Sequence, residues 1–114
     1  MQSDAAFDGG WLVVTLRGHA AEASDADWVE LRQGIPWGRA TKAICDVTDV
    51  LGASDRAVET LLGMTADAHH HGGKLIIVGM SGELYARFGA MGVVRYVALA
   101  TTVAEARANL DLLL

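Results

Sequence analysis

The residues of this sequence that could carry chemistry lie mainly in one polar run. Ser54, Asp55 and Arg56 follow an apolar segment, and a serine hydroxyl in that place could accept a phosphoryl group. The plainer alternative for Ser54 is a helix N-cap, in which its side-chain oxygen accepts a hydrogen bond from an amide of the first helical turn. Asp55 and Arg56 could likewise be ordinary first-turn residues, because the positive end of the helix dipole favours an acidic side chain there. We predict that Ser54 caps a helix and that Asp55 is exposed.

Three consecutive histidines, at residues 69–71, suggest a metal site because imidazole is a common metal ligand. On a helix, however, adjacent residues point about 100° apart and cannot share one ion. No second cluster of cysteine, histidine or acidic residues lies at ligand spacing in the sequence. We therefore predict no metal site.

Catalytic groups would have to come from isolated carboxylates or from the one cysteine. The carboxylates that could be proposed as acids or bases are Asp46, Asp49, Glu59 and Asp67. No histidine or nucleophile lies at a motif spacing beside them, and we expect them in surface or turn positions. Cys45 lies in an apolar segment and should be buried as a small hydrophobic residue. The glycines at 72–73 and within 79–82 follow neither the P-loop nor the dinucleotide spacing, so we expect no catalytic residue and no cofactor.

The composition is that of one globular domain spanning residues 1–114. The chain is 52% hydrophobic and 20% charged, which is typical of a compact fold rather than of a disordered tail. A chain of this length buries enough surface to fold without disulfides or a structural metal, and its single cysteine agrees with that.

Charge and hydropathy argue against two classes of partner. A net charge of -5 with only nine Lys and Arg argues against nucleic acid, whose phosphates are bound by clustered basic residues. Apolar segments such as residues 11–14 and 75–78 are far too short to span a bilayer. The first residues lack the positive flank and apolar centre of a secretory signal, so we expect a cytoplasmic protein without membrane insertion.

Strand and helix patterns alternate along the chain. After a turn at residues 9–10 we predict strands at 11–17, 43–47, 74–78 and 93–99. A helix follows each strand: one from Ser24 that is ended by Gly34 and Pro36, one at 54–71, one from Ser81 and one from Thr102. The residues of the last helix that should face inward are Val103, Ala106, Leu110 and Leu113. This alternation indicates an α/β fold with a mainly parallel sheet. Trp37, in a loop after Pro36, is expected to be a partly exposed contact.

The order of these elements and four local motifs resemble the STAS family, the domain of anti-sigma-factor antagonists and of sulphate-transporter tails. The motifs are residues 16–18 (LRG), 45–50 (CDVTDV), 72–79 (GGKLIIVG) and 88–92 (FGAMG). The resemblance covers roughly residues 7–113. It implies a mixed, mainly parallel sheet of four to five strands with the helices packed largely on one face.

In the antagonists of this family, a partner anti-sigma factor with serine kinase activity phosphorylates a serine in an Asp-Ser-Ser-Gly motif at the start of the central helix. When this chain is aligned with that motif, Ser54 lies at the Asp, Asp55 at the phosphorylated serine, Arg56 at the second serine and Ala57 at the Gly. The phospho-acceptor is therefore replaced by Asp55. An aspartate carries one negative charge where phosphate carries about -1.5 to -2, so it imitates phosphoserine only imperfectly.

The resemblance implies a protein-interaction module that docks on an anti-sigma factor through Gly52, Ala53, Ser54, Asp55 and Arg56. A homodimer remains open. The alternative is a ligand- or lipid-binding STAS protein associated with transport or sensing, in which a groove between helices and sheet holds a small molecule. An enzyme is the weakest of the three classes, because no paired nucleophile and base are found in the sequence.

Overall fold

A tight hairpin begins the chain. The computed structural model describes residues 1–38 and 42–113, and the side chains of residues 1–38 and 42–108. Strand β1 (Gln2–Asp8) pairs antiparallel with β2 (Trp11–His19). Gly9 and Gly10 form the two-residue turn between them with φ values of 58° and 86°, a left-handed conformation that glycine adopts without steric cost. The predicted turn is confirmed.

The sheet has five strands in the spatial order β1-β2-β3-β4-β5. Strands β3 (Lys42–Leu51), β4 (Lys74–Val78) and β5 (Ala98–Ala100) run parallel to β2. The sheet is thus mixed and mainly parallel, as predicted. The parallel strands are joined by helical crossovers, which place the loops that follow β3 and β4 at the same edge of the sheet.

The described residues form four α-helices: α1 (Asp25–Gln33), α2 (Asp55–His70), α3 (Gly82–Ala90) and α4 (Val103–Leu113). The first three begin after a serine whose side chain accepts a backbone hydrogen bond from the first turn, and these serines are Ser24, Ser54 and Ser81. The predicted starts of these three helices are therefore confirmed. Serine is favoured there because its oxygen satisfies one of the unpaired amides that every helix start exposes.

Three helices cover one face of the sheet and one covers the other. Buried residues of α1, α2 and α3 form the main core with the β-strand residues Leu12, Val14, Leu16, Cys45, Leu75 and Ile77. The opposite face carries a smaller cluster of Trp11, Ile44, Ile76 and Val78 beneath Ala106 of α4. Because side chains alternate across a strand, adjacent residues such as Ile44 and Cys45 belong to different clusters. The helices therefore pack largely on one face, as the resemblance implied.

The last strand is shorter than predicted. Residues 93–99 were expected to be extended, whereas Val94–Tyr96 forms a 3-10 turn and β5 starts only at Ala98. The Val93 amide donates to the Phe88 carbonyl at 3.2 Å and the Tyr96 amide to the Val93 carbonyl at 3.0 Å, so this segment folds back on α3. Apolar residues such as Val93 and Val94 pack against the main core without being in the sheet.

The prediction for Trp37 was wrong. Trp37 is only 7% exposed and belongs to the main core, where its ring stacks on His71 at a centroid distance of 6.2 Å. An indole is large enough that a loop residue can reach the core, which the position after Pro36 did not reveal. On α4, Ala106 is buried and Val103 half-buried, while the side chains of Leu110 and Leu113 lie outside the described residues.

Candidate functional site

The candidate site lies where β3 ends and α2 begins. Leu51 is the last residue of β3, and Gly52 turns the chain with a φ of 72° before Ser54 opens the helix. The start of α3 follows the neighbouring parallel strand β4, so the N-termini of α2 and α3 lie at the same sheet edge. Ligands and partners of α/β sheets commonly bind at this edge, where the carboxyl ends of the strands present loops.

Ser54 is the N-cap of α2, as predicted. Its side-chain oxygen accepts a hydrogen bond from the Ala57 amide at 3.1 Å, and the residue is half-buried. The same contact recurs at Ser81, whose oxygen accepts from the Leu84 amide at 3.1 Å. Two serines in equivalent positions thus have the same structural role, and the capping contact needs no functional explanation.

Asp55 is exposed, as predicted, but it is paired. Its side chain is 65% exposed, and Oδ1 lies 3.1 Å from Nη1 of Arg87, which comes from α3. The carboxylate therefore has three sources of stabilisation: the positive end of the α2 dipole, water and the Arg87 guanidinium. A partner approaching this edge meets an ion pair rather than an isolated negative charge.

Arg56 points away from Asp55, toward α1. Its Nε lies 3.6 Å from the Asp25 carboxylate, and its Nη1 lies 3.5 Å from Glu59 one turn further along α2. Asp55 and Arg56 therefore lie on different surfaces of the domain, because successive side chains on a helix point about 100° apart. Of the five predicted site residues, Gly52 to Asp55 border the sheet edge, whereas Arg56 borders the space between α1 and α2.

Two residues that the sequence did not point to complete the edge. Glu83, in the first turn of α3, has Oε2 within 3.6 Å of the place where a Cβ on Gly52 would lie. Arg87 lies one turn further along α3 and pairs with Asp55. We define the α2–α3 edge as Leu51, Gly52, Asp55, Glu83 and Arg87. Leu51 is 54% exposed and adds an apolar side chain to these charged residues.

Two of the candidate carboxylates have structural partners, and the one cysteine is buried. The Asp46 carboxylate accepts from the Thr48 amide at 3.0 Å and from its hydroxyl at 2.6 Å, and Asp67 accepts two bonds from Arg32. Cys45 is fully buried, as predicted, and burial together with the nearby Asp46 charge raises the pKa of its thiol to about 12. A thiol in that state is almost entirely protonated at neutral pH and is a poor nucleophile.

The histidine run forms no ligand cluster within the described residues, where no group of three His, Cys, Asp or Glu is placed to hold a metal ion. His71 ends α2, and its Nδ1 donates to the Asp67 carbonyl at 2.9 Å. Over residues 1–38 and 42–113, none of the helices combines the length and the apolar character needed to cross a bilayer.

Solved structures similar to this chain include several anti-sigma factor antagonists and the murine anion transporter Slc26a9, of which the match covers 18%. A serine-to-glutamate variant of RsbS from Moorella thermoacetica superposes with a TM-score of 0.80 at 14% identity, over 99% of this chain and 97% of its own. An anti-sigma factor antagonist from Mycobacterium paratuberculosis gives 0.81 at 12% identity, over 96% and 93%. Unphosphorylated SpoIIAA from Bacillus, also an anti-sigma factor antagonist, gives 0.72 at 17% identity, over 96% of each chain.

No protein-family model matches the sequence, and no curated protein resembles it at a significant level. At identities this low the structural likeness establishes the fold alone. The fold is that of a STAS domain, as the sequence motifs implied.

Proposed function

We propose that this STAS-fold chain is a protein-docking module of the anti-sigma-factor-antagonist type, which binds an anti-sigma factor with serine kinase activity in a partner-switching pathway of the cytoplasm. The observation that carries the proposal is the exposed start of α2, with Asp55 at the position where the resemblance puts the phospho-acceptor serine. The α2–α3 edge is the docking surface. We assign no reaction to the chain itself.

The similar structures support this proposal. RsbS, SpoIIAA and the M. paratuberculosis antagonist each match over more than nine tenths of this chain and of their own, so the segment that we propose for docking belongs to the fold they share. SpoIIAA has been solved in both unphosphorylated and phosphorylated forms, which makes phosphorylation a property of at least one protein with this fold. The M. thermoacetica RsbS variant carries an acidic side chain in place of a serine.

The chemistry of residue 55 distinguishes this chain from an antagonist that is switched by phosphorylation of a serine. A carboxylate has no hydroxyl to attack a γ-phosphoryl group, so transfer to Asp55 cannot yield a stable phosphoserine. Its single charge is also partly offset by Arg87 at 3.1 Å, so the outer surface carries less negative charge than phosphate would give it. We therefore expect the wild-type chain to bind its partner constitutively and with reduced affinity.

The test uses a purified kinase-type anti-sigma factor from the same cells, ATP, intact-mass measurement and binding by titration calorimetry. Wild type should stay unmodified. Asp55→Ser should gain one phosphoryl group and, before ATP is added, should bind roughly tenfold more tightly, a change of about 1.4 kcal/mol. Asp55→Asn is the matched control, because it removes the charge without supplying a hydroxyl and should strengthen binding without phosphorylation.

Arg87→Gln separates the role of the ion pair from that of residue 55. In the wild-type background it should weaken partner binding, because the Asp55 charge is then no longer offset. In the Asp55→Ser background the loss should be smaller, since the part that comes from the ion pair is then absent. Strong phosphorylation of the wild type that persists in Ser54→Ala, or equal binding by wild type and Asp55→Asn, would contradict the proposed docking site.

A further inference from the structure

A cleft separates α1 from α2 on the side away from the α2–α3 edge. It has a volume of about 600 Å³, is partly open to solvent and is lined by both helices and by the loop that carries Trp37. This volume lies within the range of about 300–1,000 Å³ that is usual for small-molecule sites. The proposed docking function makes no use of it.

One wall of the cleft is aromatic and held in place. The rings of Trp37 and His71 stack with planes 21° apart, and the His71 ring is tethered by its bond to the Asp67 carbonyl. Trp28 lines the same cleft from α1. Flat aromatic surfaces of this kind favour planar ligands, which stack on them with little loss of conformational freedom.

Two hydrogen-bond donors at the cleft have no acceptor among the described residues. They are the indole Nε1–H of Trp28, a residue only 1% exposed, and the Nε–H of Arg56, which faces the Asp25 carboxylate at 3.6 Å without a hydrogen bond to it. A buried donor without a partner is unfavourable and is rare in native proteins, and a ligand acceptor is one way in which it becomes satisfied. Both N–H groups can donate a hydrogen bond to an anionic oxygen.

The two arginines at the cleft differ in how firmly they are held. Arg32 donates two bonds to Asp67, at 2.7 and 2.9 Å, and its guanidinium lies against the helix backbone at Gly63. Arg56 approaches its carboxylates only at 3.5 and 3.6 Å, beyond good hydrogen-bond length. Arg56 can therefore turn toward a ligand in the cleft, whereas Arg32 is already occupied by Asp67.

The charged groups at the cleft supply no excess of positive charge for a ligand. Arg32 is matched by Asp67, and Arg56 lies between Asp25 and Glu59. Selectivity for a ligand must then come from the donors that have no hydrogen bond rather than from a net charge of the cleft. A carboxylate suits them best, because it offers acceptors in one plane and forms a charge-assisted bond with a guanidinium.

We propose that the α1–α2 cleft binds a small planar aromatic carboxylate, with its ring against the Trp37–His71 wall and its oxygens accepting from Trp28 Nε1 and Arg56 Nε. Binding is non-covalent and is independent of the proposed docking function.

The test compares 2-naphthoate with its neutral isostere 2-naphthamide by titration calorimetry, and follows the three tryptophan indole N–H signals by NMR. The acid should bind at least tenfold more tightly than the amide, and only the acid should shift the Trp28 indole signal downfield. The Trp11 signal should not move, because Trp11 lies under the other face of the sheet. Equal binding of acid and amide, no binding, or shifts confined to Trp11 would overturn the proposal.

Three variants test the assigned donors. Trp28→Phe should reduce the preference for the acid severalfold without abolishing it, since the indole donor is gone and the bond from Arg56 remains. Because Trp28 is a core residue, a second variant tests the cleft with the core intact. Glu59→Gln removes one of the two carboxylates near Arg56, the other being Asp25, and should tighten 2-naphthoate binding severalfold. Arg95→Gln, which removes a cation outside the cleft, should bind like the wild type. A Glu59→Gln chain that binds the acid no better than Arg95→Gln does would contradict the role of Arg56.

Discussion

Ion pairs between helices differ in strength according to their geometry. Arg32 and Asp67 make a two-pronged contact on the surface between α1 and α2, whereas Arg87 and Asp55 share one contact at 3.1 Å. The hydrogen bonds from Arg32 hold the pKa of the Asp67 carboxyl below its usual range. The same contact raises the pKa of Arg32. The α1–α2 pair therefore stabilises the fold, while the Asp55 pair remains accessible to a partner.

Asp67→Asn should lower the free energy of unfolding at pH 7 by about 0.5–1 kcal/mol, the upper part of the range for exposed pairs, because the geometry is bidentate. The pKa of Asp67 is lower in the folded state, so its contribution is fully present above the unfolded-state pKa of about 3.9. It is lost as the pH falls through the folded-state value. Urea unfolding at pH 7 and in acid should thus show a difference between wild type and variant that shrinks in acid.

Asp8→Asn is the control for the Asp67 prediction, because Asp8 pairs with Arg107 near the turn that ends β1 and is more exposed than Asp67. It should leave the urea midpoint nearly unchanged at pH 7. A difference between wild type and Asp67→Asn that stays constant down to the acid transition would show that the lost stability is unrelated to the ionised carboxylate.

At the level of elements, the loop after β4 depends on one glycine that is held close to β3. Gly79 has a φ of 76°, and its amide donates to the Ala100 carbonyl at 3.1 Å. A Cβ at this position would overlap the Thr48 side chain and lie 3.1 Å from Thr48 Cα. The glycine thus lets the ends of β3 and β4 approach, and this closeness brings the starts of α2 and α3 to one edge.

Gly79→Ala should destabilise the fold more than Gly72→Ala. Both glycines have left-handed φ values, 76° and 81°, so both substitutions incur the backbone strain of about 1–2 kcal/mol. Only Gly79 has neighbours where the new Cβ would lie, since nothing is within 4 Å at Gly72. The clash should add about 1–3 kcal/mol, measured by urea unfolding of the two variants. Equal losses would mean that Thr48 moves aside without cost.

On the scale of the whole molecule, the sheet has a large core on one face and a small one on the other. Helix α4 covers the small core with the fully buried Ala106, while Arg107 lies over the Trp11 ring at 5.8 Å. Lys42 lies over the same ring at 5.4 Å. The face of the sheet opposite the main core is therefore covered by one helix and by two cationic side chains over the Trp11 ring, rather than by a full layer of apolar helices.

Ala106→Asp should cost about 3 kcal/mol or more, because it puts a carboxylate into an apolar space where the charge has no partner. Ala108→Asp is the matched change on the same helix at an exposed position, and it should alter stability by no more than about 0.5 kcal/mol. Thermal or urea unfolding measures both. Similar, small effects of the two variants would show that α4 does not seal the second face.

The sequence by itself determined the local structure of this fold, namely where helices begin and where the chain turns. Serines at 24, 54 and 81 start helices, and paired glycines make the first turn, because a cap or a tight turn depends on atoms within about four residues. Alternation of strand and helix patterns indicated the mainly parallel sheet, and the order of the motifs indicated the STAS fold. The burial of Cys45 followed from the apolar residues beside it.

Tertiary structure alone decided which side chains meet. Arg87 lies 32 residues from Asp55 in the sequence, and Arg32 lies 35 residues from Asp67, so no local pattern could pair them. Their contacts depend on how far the helices are rotated about their axes and on how closely they pack. The same geometry separates Arg56 from Asp55 and buries Trp37 against His71. Local interactions select the elements, whereas the α2–α3 edge and the α1–α2 cleft exist only once packing has brought distant side chains together.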